Sequence, residues 1–445
     1  MKPAVSSGSV PSVAVSPGKA WLIVVLLFFF MFINFADKVV IGLAAIPIMD
    51  ELKLAPDQFG FVGSSFFILF AASAILVGFV VNRFPARWVL LVMATVWALT
   101  QFPMVGTVGF ATLVACRVAL GAGEGPAYPV ALHAVYKWFP NERRALPSSI
   151  IAIGSSVGIL FAAPGLTWVI KHYDWHMAFA VLGVVGLVWV LAWLLLGAEG
   201  PIGDAEHPAA AAAGDRAQRV PYLRLLSSGT MLGCFIAGFV AYWGLAMMLV
   251  WGNAFLIQAQ HRDPQDAAWV TGVLWTCGGL IVPTFSYISQ AMLHRGGTSR
   301  KCRGWLTSGC VIAGGAGIVI MSLLPPGPLQ LVFLVIGFGL PSVIFSLGPT
   351  MAGEITPLRQ RGAVLAINTA VSTLGGLVSP AVMGKLVQAG PTIELGYRNG
   401  FVLAGIVSLV GGIIALMLIN PEADRARFAA AGKAGPLAAA AAGSD

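Results

Sequence analysis

Twelve apolar stretches, each about 20 residues or longer, recur along the whole chain. A helix of that length crosses the roughly 30 Å hydrocarbon core of a bilayer while bonding its own backbone groups. We therefore predict an all-α polytopic membrane protein with twelve transmembrane helices in two six-helix halves. The stretches cover residues 20–48, 58–81, 88–106, 111–136, 146–170, 177–198, 228–257, 267–292, 304–323, 328–350, 363–387 and 399–419.

The composition excludes a soluble domain of this size, because 58% of the 445 residues are hydrophobic and only 10% are charged. A polar connection rich in Ala and Pro divides the apolar stretches six and six, which is the layout of a two-half transporter. The predicted units are a disordered tail (1–19), an N-terminal six-helix bundle (20–198), a cytoplasmic central loop (199–227), a C-terminal six-helix bundle (228–420) and a second disordered tail (421–445).

The net charge of +8 follows the predicted topology. If the amino terminus is cytoplasmic, 19 of the 26 Lys and Arg residues lie on the cytoplasmic side and five on the outer side. This asymmetry predicts that both termini are cytoplasmic and that the protein lies in the inner (plasma) membrane. It gives no reason to expect a nucleic-acid partner. The five cysteines are scattered without metal-ligand spacing, so we expect neither a metal nor a cofactor.

Four charged residues lie inside the apolar stretches, where a charge costs about 3 kcal/mol or more and usually serves a function. Asp37 and Lys38 belong to the first stretch, and Arg117 and Glu124 to the fourth. Arg117 and Glu124 are two helical turns apart on nearly the same face, so they can line one cavity. Helical spacing groups Asn34 with Asp37 and turns Lys38 about 100° away. The alternative is that these charges pair only to neutralise one another and to hold the helices together.

Several segments carry a family resemblance. Residues 78–87, GFVVNRFPAR, are similar to the signature after the second helix of the major facilitator superfamily, although Asn82 replaces its usual acid and Pro85 a glycine. The segments NFADKVVIGLAAIPIM (34–49), QFGFVGSSFFILFAAS (58–73), CRVALGAGEGPAYPVALHAVYKWFPNERRA (116–145) and YDWHMAF (173–179) resemble the anion:cation symporter family within that superfamily. Lys38 stands where that family usually has Arg.

The resemblance implies a secondary active transporter that takes up a small organic anion together with a proton by alternating access, and not an enzyme. It implies that Arg117 holds the anion with Lys38, and that Glu124 and Asp37 take up protons. A proton-antiporting exporter is the alternative function, and sodium is the alternative coupling ion. A sugar acid, a carboxylate, an aromatic acid and a sulfonate are all open as substrates. We expect a monomer in the lipid bilayer.

Further residues are candidates for contacts with substrate or for gating. For the softer substrate and external-gate candidates, simple packing is an equal or better interpretation, whereas the motif arginines are interpreted as topology determinants and contacts of an intracellular gate. The additional substrate-binding candidates are Tyr128, Asn34, Asn368, Ser372 and Ser64. The predicted gating and motif residues are Gly78, Asn82, Arg83, Arg87 and Arg144. Trp251, Asn253 and Gln258 are candidates for an external gate.

Overall fold

The computed structural model describes residues 16–81, 83–140, 143–202 and 220–428, and these form helices joined by short connections. The first half contains α1 (Pro17–Leu43), α2 (Ala45–Leu52), α3 (Pro56–Val81), α4 (Ala86–Gln101), α5 (Phe110–Glu124), α6 (Ala127–Tyr136), α7 (Ala145–His172) and α8 (Trp175–Leu196). The second half contains α9 (Tyr222–Leu226), α10 (Gly229–Gln258), α11 (Pro264–His294), α12 (Leu306–Leu323), α13 (Pro328–Gly339), α14 (Ile344–Ile355), α15 (Leu358–Ala389) and α16 (Ile393–Leu418).

Each of the twelve predicted stretches contains helix. Within the described part of the chain, ten helical segments are long and apolar enough to cross a membrane. The other two stretches hold shorter helices. One is α4, with 16 residues, which continues into a 3-10 turn over Phe102–Met104. The other is the pair α5 and α6, with 15 and 10 residues, which the sequence treats as one span.

Prolines account for the interruptions that the sequence does not locate. A proline inside a helix has no N–H for the carbonyl four residues earlier and clashes with that carbonyl. Pro47 stands four residues after Leu43, where α1 ends. Pro126 separates α5 from α6, and Pro341 lies in the 3-10 turn Leu340–Val343 between α13 and α14. These breaks let the chain change direction inside the predicted spans.

Several helices begin at a side-chain cap. The carboxylate of Asp174 accepts a hydrogen bond from the backbone N–H of Met177 at 2.7 Å, which satisfies a free donor at the start of α8. Asp263 and Thr392 accept equivalent bonds at the starts of α11 and α16. Because these caps lie in the connections, they set where the membrane helices begin.

The two halves pack tightly at one end of the bundle, which we call the sealed end. There α3 meets α15 so closely that a Cβ atom on Gly60 would lie 2.4 Å from the carbonyl oxygen of Pro380. The indole N–H of Trp251 donates to the same carbonyl at 3.0 Å. The backbone N–H of Ala381 donates to the hydroxyl of Ser64 at 3.1 Å. Contacts between backbones and small residues therefore hold this end shut.

The structure differs from the predicted boundaries at several points. α1 already begins at Pro17, and the predicted central loop contains the short helix α9. Residues 421–428 are helical although the tail from 421 is predicted to be disordered. The reason is a packing contact, because the carboxylate of Asp424, only 6% exposed, accepts from the backbone N–H of Thr230 at 2.8 Å. Residues 1–15, 203–219 and 429–445 of these predicted units lie outside the described residues.

Candidate functional site

A cavity of about 740 Å³ lies between the two halves. Its walls come from α1, α3, α5 and α6 on one side and from α10, α14 and α15 on the other. Gly78, close to the last residue of α3, and Gly362, close to the first residue of α15, both line it. The cavity thus extends from the middle of the bundle toward the end opposite the sealed end.

An ion pair lies on the wall of this cavity. The ammonium of Lys38 on α1 is 2.8 Å from a carboxylate oxygen of Glu124 on α5, and the two side chains are 9% and 0% exposed. Both residues line the cavity. The side-chain oxygen of Asn34, one turn before Lys38, accepts a second bond from the same ammonium. The two charges thus neutralise each other at a place that a ligand can reach.

Two glycines explain how Glu124 reaches this position. A Cβ atom on Gly121 would lie 1.8 Å from the carbonyl oxygen of Phe66, and one on Gly125 would lie 2.2 Å from that of Phe70. Only residues without a side chain permit α5 to pack so closely on α3. Glu124 is also the last residue of α5, directly before the break at Gly125 and Pro126. Its carboxylate therefore lies at the end of α5, beside the cavity.

Three phenylalanine rings surround the ammonium of Lys38. Its nitrogen lies 4.7 Å from the ring centroid of Phe35 and 6.0 Å from those of Phe66 and Phe70. Aromatic faces attract a cation and exclude water from it. We refer to these rings as the phenylalanine cage. No prediction from the sequence includes this cage, although Phe35 lies one turn before Lys38, and Phe66 and Phe70 are themselves one turn apart on α3.

Asp37 and Arg117 are also buried, with 1% and 4% of their surface exposed. Arg117 stacks on the ring of Phe66 with its guanidinium carbon 4.7 Å from the centroid. Neither Asp37 nor Arg117 is among the described residues that line the cavity. One carboxylate oxygen of Asp37 and two guanidinium nitrogens of Arg117 have no hydrogen-bond partner among the described residues. Arg117 is therefore separated from the cavity in this conformation, and its direct contact with an anion stays a prediction.

Of the other five predicted substrate contacts, four line the cavity and one does not. Tyr128, Asn368 and Ser372 lie on its wall. The prediction for Ser64 is not supported, because its hydroxyl accepts the bond from Ala381 at the sealed end. Asn34 lines the cavity, and its side chain accepts a bond from Lys38, a contact that the predicted separation of Lys38 from Asn34 did not include. Residues four apart are neighbours on a helix, which explains this contact.

The predicted gating residues make local contacts within the first half. The guanidinium of Arg87 donates to the carbonyl of Leu194 at 2.8 Å. Arg144 donates to the carbonyls of Tyr136 and Phe139 near the end of α6, at 3.2 and 3.0 Å. The remaining members are Gly78, which lines the cavity, Arg83, which is exposed, and Asn82, which lies outside the described residues.

The external-gate candidates take part in the sealed end in different ways. Trp251 packs edge-on against Phe59 with ring centroids 5.4 Å apart and bonds Pro380. Gln258 accepts from the hydroxyl of Tyr397 at 2.8 Å, within the second half. Asn253 is buried and accepts from Thr271 at 3.4 Å. Of the three, Trp251 contacts the opposite half.

Comparison with known proteins decides the family. The family model described as Major Facilitator Superfamily matches residues 27–343 and 329–442, which is most of the chain. The chain belongs to the major facilitator superfamily. This confirms the predicted all-α transporter fold with two six-helix halves, and membership identifies a transport protein and not an enzyme. It is a multi-pass membrane protein.

Similar proteins of known name are carriers of acids. The hexuronate transporter of Bacillus subtilis is 26% identical over 89% of this chain and 94% of its own length. The D-galactonate transporter of Escherichia coli is 24% identical over 92% of this chain and 98% of its own. A probable sulfoacetate transporter of Cupriavidus necator is 27% identical over 88% of this chain and 91% of its own. The resemblance to anion:cation symporters is thereby confirmed.

Solved structures share the fold. A bacterial homolog of the human lysosomal transporter Spinster, in an inward-facing and unoccupied conformation, superposes with a TM-score of 0.73 at 17% identity and covers 92% of this chain and 99% of its own. A D-xylose-proton symporter superposes with a TM-score of 0.70 at 16% identity and covers 90% of this chain and 98% of its own. At these identities the likeness establishes architecture alone.

Proposed function

We propose that this protein is a proton-coupled symporter that carries a small organic anion into the cell. The observation that carries the proposal is the Lys38–Glu124 ion pair on the cavity wall, because it offers an anion site and a proton site in direct contact. The relatives named as carriers of hexuronate, D-galactonate and sulfoacetate support an organic anion as the cargo.

The pair suggests how the proton and the anion are coupled. While Glu124 is ionised, it neutralises Lys38 and leaves little attraction for a second anion. Protonation of Glu124 removes that negative charge, so the caged ammonium of Lys38 becomes an unpaired cation facing the cavity. Such a charge is costly in an apolar environment unless an anion pairs with it. Binding of the acidic group of the substrate then restores neutrality.

Asp37 and Arg117 form the second part of the proposed mechanism. Each contributes to the electrostatic environment of the other, and both are buried behind Phe66 and Lys38. One carboxylate oxygen of Asp37 has no hydrogen-bond partner among the described residues, so it can take up a proton. Two guanidinium nitrogens of Arg117 also lack such a partner, so Arg117 can move toward the cavity without breaking hydrogen bonds at these atoms. We propose that Arg117 assists the binding of the anion after such a movement, and that Asp37 is a second proton acceptor.

Alternating access follows from the opposite states of the two ends. The sealed end is closed by α3 against α15, whereas the cavity reaches Gly78 and Gly362 at the other end. If both termini are cytoplasmic in the inner membrane, as the charge distribution predicts, this conformation opens toward the cytoplasm. Neutralisation of the buried charges by proton and anion then lowers the cost of rocking the two halves to the outward-open state. We propose that a monomer performs this cycle.

The test uses purified full-length protein in proteoliposomes and a panel of labelled anions that do not cross lipid unaided: D-glucuronate, D-galactonate, sulfoacetate and 2-phenylethanesulfonate. We expect wild-type protein to accumulate at least one of them when the outside is acidic, and a protonophore to abolish the accumulation. Glu124→Gln should lose accumulation and retain exchange of labelled for unlabelled anion. Accumulation by Glu124→Gln at the wild-type level would refute the proton role of Glu124. Transport of a cationic dye, without any panel anion, would refute the anion carrier.

A further inference from the structure

A second, smaller cavity adjoins the central one. This side pocket has a volume of about 190 Å³ and lies between α7 of the first half and α10, α11, α13 and α14 of the second. Phe35, Leu245 and Phe345 line both cavities, so the two share a wall. An apolar cavity of about 150 Å³ is enough to bind benzene. The side pocket therefore has room for one ring or a short branched chain.

The surface of the side pocket is mainly apolar. Its aliphatic and aromatic residues include Ile159, Met248, Leu274, Trp275, Leu334 and Phe338. Three serines lie on its wall, and two of them donate to nearby backbone carbonyl oxygens: Ser155 to Ala152 at 2.6 Å and Ser342 to Phe338 at 3.2 Å. With Ser156 as the remaining hydroxyl, an apolar group fits this surface better than a chain of hydroxyl groups.

The central cavity shows the same preference next to the charge. The phenylalanine cage and Phe345 provide rings on its wall. The hydroxyls of Thr369 and Ser372 donate to the carbonyls of Leu365 and Asn368, at 3.1 and 2.7 Å. Among the buried polar atoms of the described residues that line it, the side-chain N–H₂ of Asn34, the side-chain oxygen of Asn368 and Oε1 of Glu124 have no hydrogen-bond partner. These few groups suit an acidic head better than a polyhydroxylated body.

Phe35 connects the charge to the side pocket. Its ring centroid lies 4.7 Å from the ammonium of Lys38, and the residue also lines the side pocket. When the acidic group of an anion pairs with Lys38, the rest of the molecule can therefore lie against Phe35 and reach into that pocket. We infer that the side pocket receives the apolar body of the transported anion, so that the preferred substrate has one acidic head and a ring-sized apolar body. This inference rests on the proposed function of the central cavity.

The test compares anions by isothermal titration calorimetry on purified full-length protein. The probes are 2-phenylethanesulfonate, which has a ring, isethionate, which has the same head and spacer without the ring, and D-galactonate, which is polyhydroxylated. We expect 2-phenylethanesulfonate to bind about tenfold tighter than either of the others, or more, because filling an apolar pocket yields such ratios. Equal or tighter binding of D-galactonate would overturn the inference and leave the anion carrier intact. Absence of binding by all three would contradict both.

A substitution in the side pocket tests whether the ring of 2-phenylethanesulfonate binds there. Gly278 lines the side pocket, and a Cβ atom there would meet its nearest neighbour, the Cα of Gly339, at 3.8 Å, which is ordinary contact. Gly278→Leu fills the pocket and should remove the advantage of 2-phenylethanesulfonate while leaving isethionate binding unchanged. The matched control is Gly309→Leu on α12, where a Cβ atom would meet nothing within 4 Å and the residue is exposed.

A second filling variant protects the test against failure to fold. Val282→Phe fills the same pocket from one turn further along α11 and should have the same effect as Gly278→Leu. Unchanged affinity for 2-phenylethanesulfonate in a folded filling variant would overturn the inference and assign the pocket to lipid acyl chains or to empty space.

Discussion

The ammonium of Lys38 lies 2.8 Å from the carboxylate of Glu124 at the wall of the central cavity, although the two residues are 86 positions apart in the chain. Asp37 and Arg117, on the same two helices, are not among the residues that line the cavity, and they have hydrogen-bonding atoms without partners among the described residues. The Lys38–Glu124 pair thus borders the cavity, whereas the other two charges are enclosed. This difference in access underlies the predictions for the four charges.

Removal of Lys38 should both destabilise the protein and abolish anion binding. Lys38→Met leaves Glu124 as an unpaired buried charge, which costs about 3–5 kcal/mol while Glu124 stays ionised. The difference in melting temperature between wild type and Lys38→Met should therefore become smaller as the pH falls and Glu124 takes up a proton. The double variant Lys38→Met/Glu124→Gln should recover most of the stability without any anion binding. A Lys38→Met protein that binds panel anions at wild-type affinity would contradict the assigned role.

The contributions of Asp37 and Arg117 to the stability of the protein should depend on each other. We expect Asp37→Asn and Arg117→Met to lower the melting temperature singly, and the double variant to lower it by less than the sum, with a coupling of about 0.5–3 kcal/mol. The reason is that each buried charge is attracted by the other, so each single variant removes part of the compensation of the charge that remains. Thermal unfolding of the purified variants measures this. Strictly additive losses would mean that the two groups do not interact.

The sealed end should have to open during transport. The backbone N–H of Asp57 on α3 donates to the side chain of Gln388 on α15 at 3.3 Å, so cysteines at these two positions can be joined across the halves by a short bis-methanethiosulfonate reagent, which forms a disulfide with each thiol. Cross-linking of Asp57→Cys/Gln388→Cys, in a Cys277→Ser background that removes an exposed native thiol, should stop anion exchange. Reduction of the disulfides should restore it. Undiminished exchange by fully cross-linked protein would refute alternating access through this end.

Glu51 should make stability depend on pH. The indole N–H of Trp175 donates to its carboxylate at 2.7 Å, and this bond, with a smaller contribution from His176, lowers the pKa of Glu51 below its ordinary value near 4.5. A lowered folded-state pKa contributes stability above the unfolded pKa, and this is lost as the pH falls through the folded value. When the pH is lowered below 4.5, the melting temperature of Glu51→Gln should therefore fall less than that of wild type. Asp50→Asn is the neighbouring control, and an identical pH profile for Glu51→Gln and wild type would contradict the assignment.

The sequence predicts the membrane helices well because about 20 apolar residues in a row have few structural alternatives. It also identifies the four buried charges, because their cost marks them as unusual. It does not predict that Lys38 pairs with Glu124, since that contact depends on how closely α5 packs on α3 at Gly121 and Gly125. The sequence also does not predict the hydrogen bond of Ser64, because its partner, Ala381, belongs to the other half.

Proton movement that accompanies the anion is the most direct evidence for or against coupling at Glu124. A pH-sensitive dye trapped in proteoliposomes reports lumenal pH while the panel anion that wild-type protein exchanges fastest is added outside. We expect the lumen to acidify as this anion enters through wild-type protein, and Glu124→Gln to exchange the anion without acidification. Acidification at the wild-type rate by Glu124→Gln would contradict the claim that Glu124 couples the proton to the anion held by Lys38.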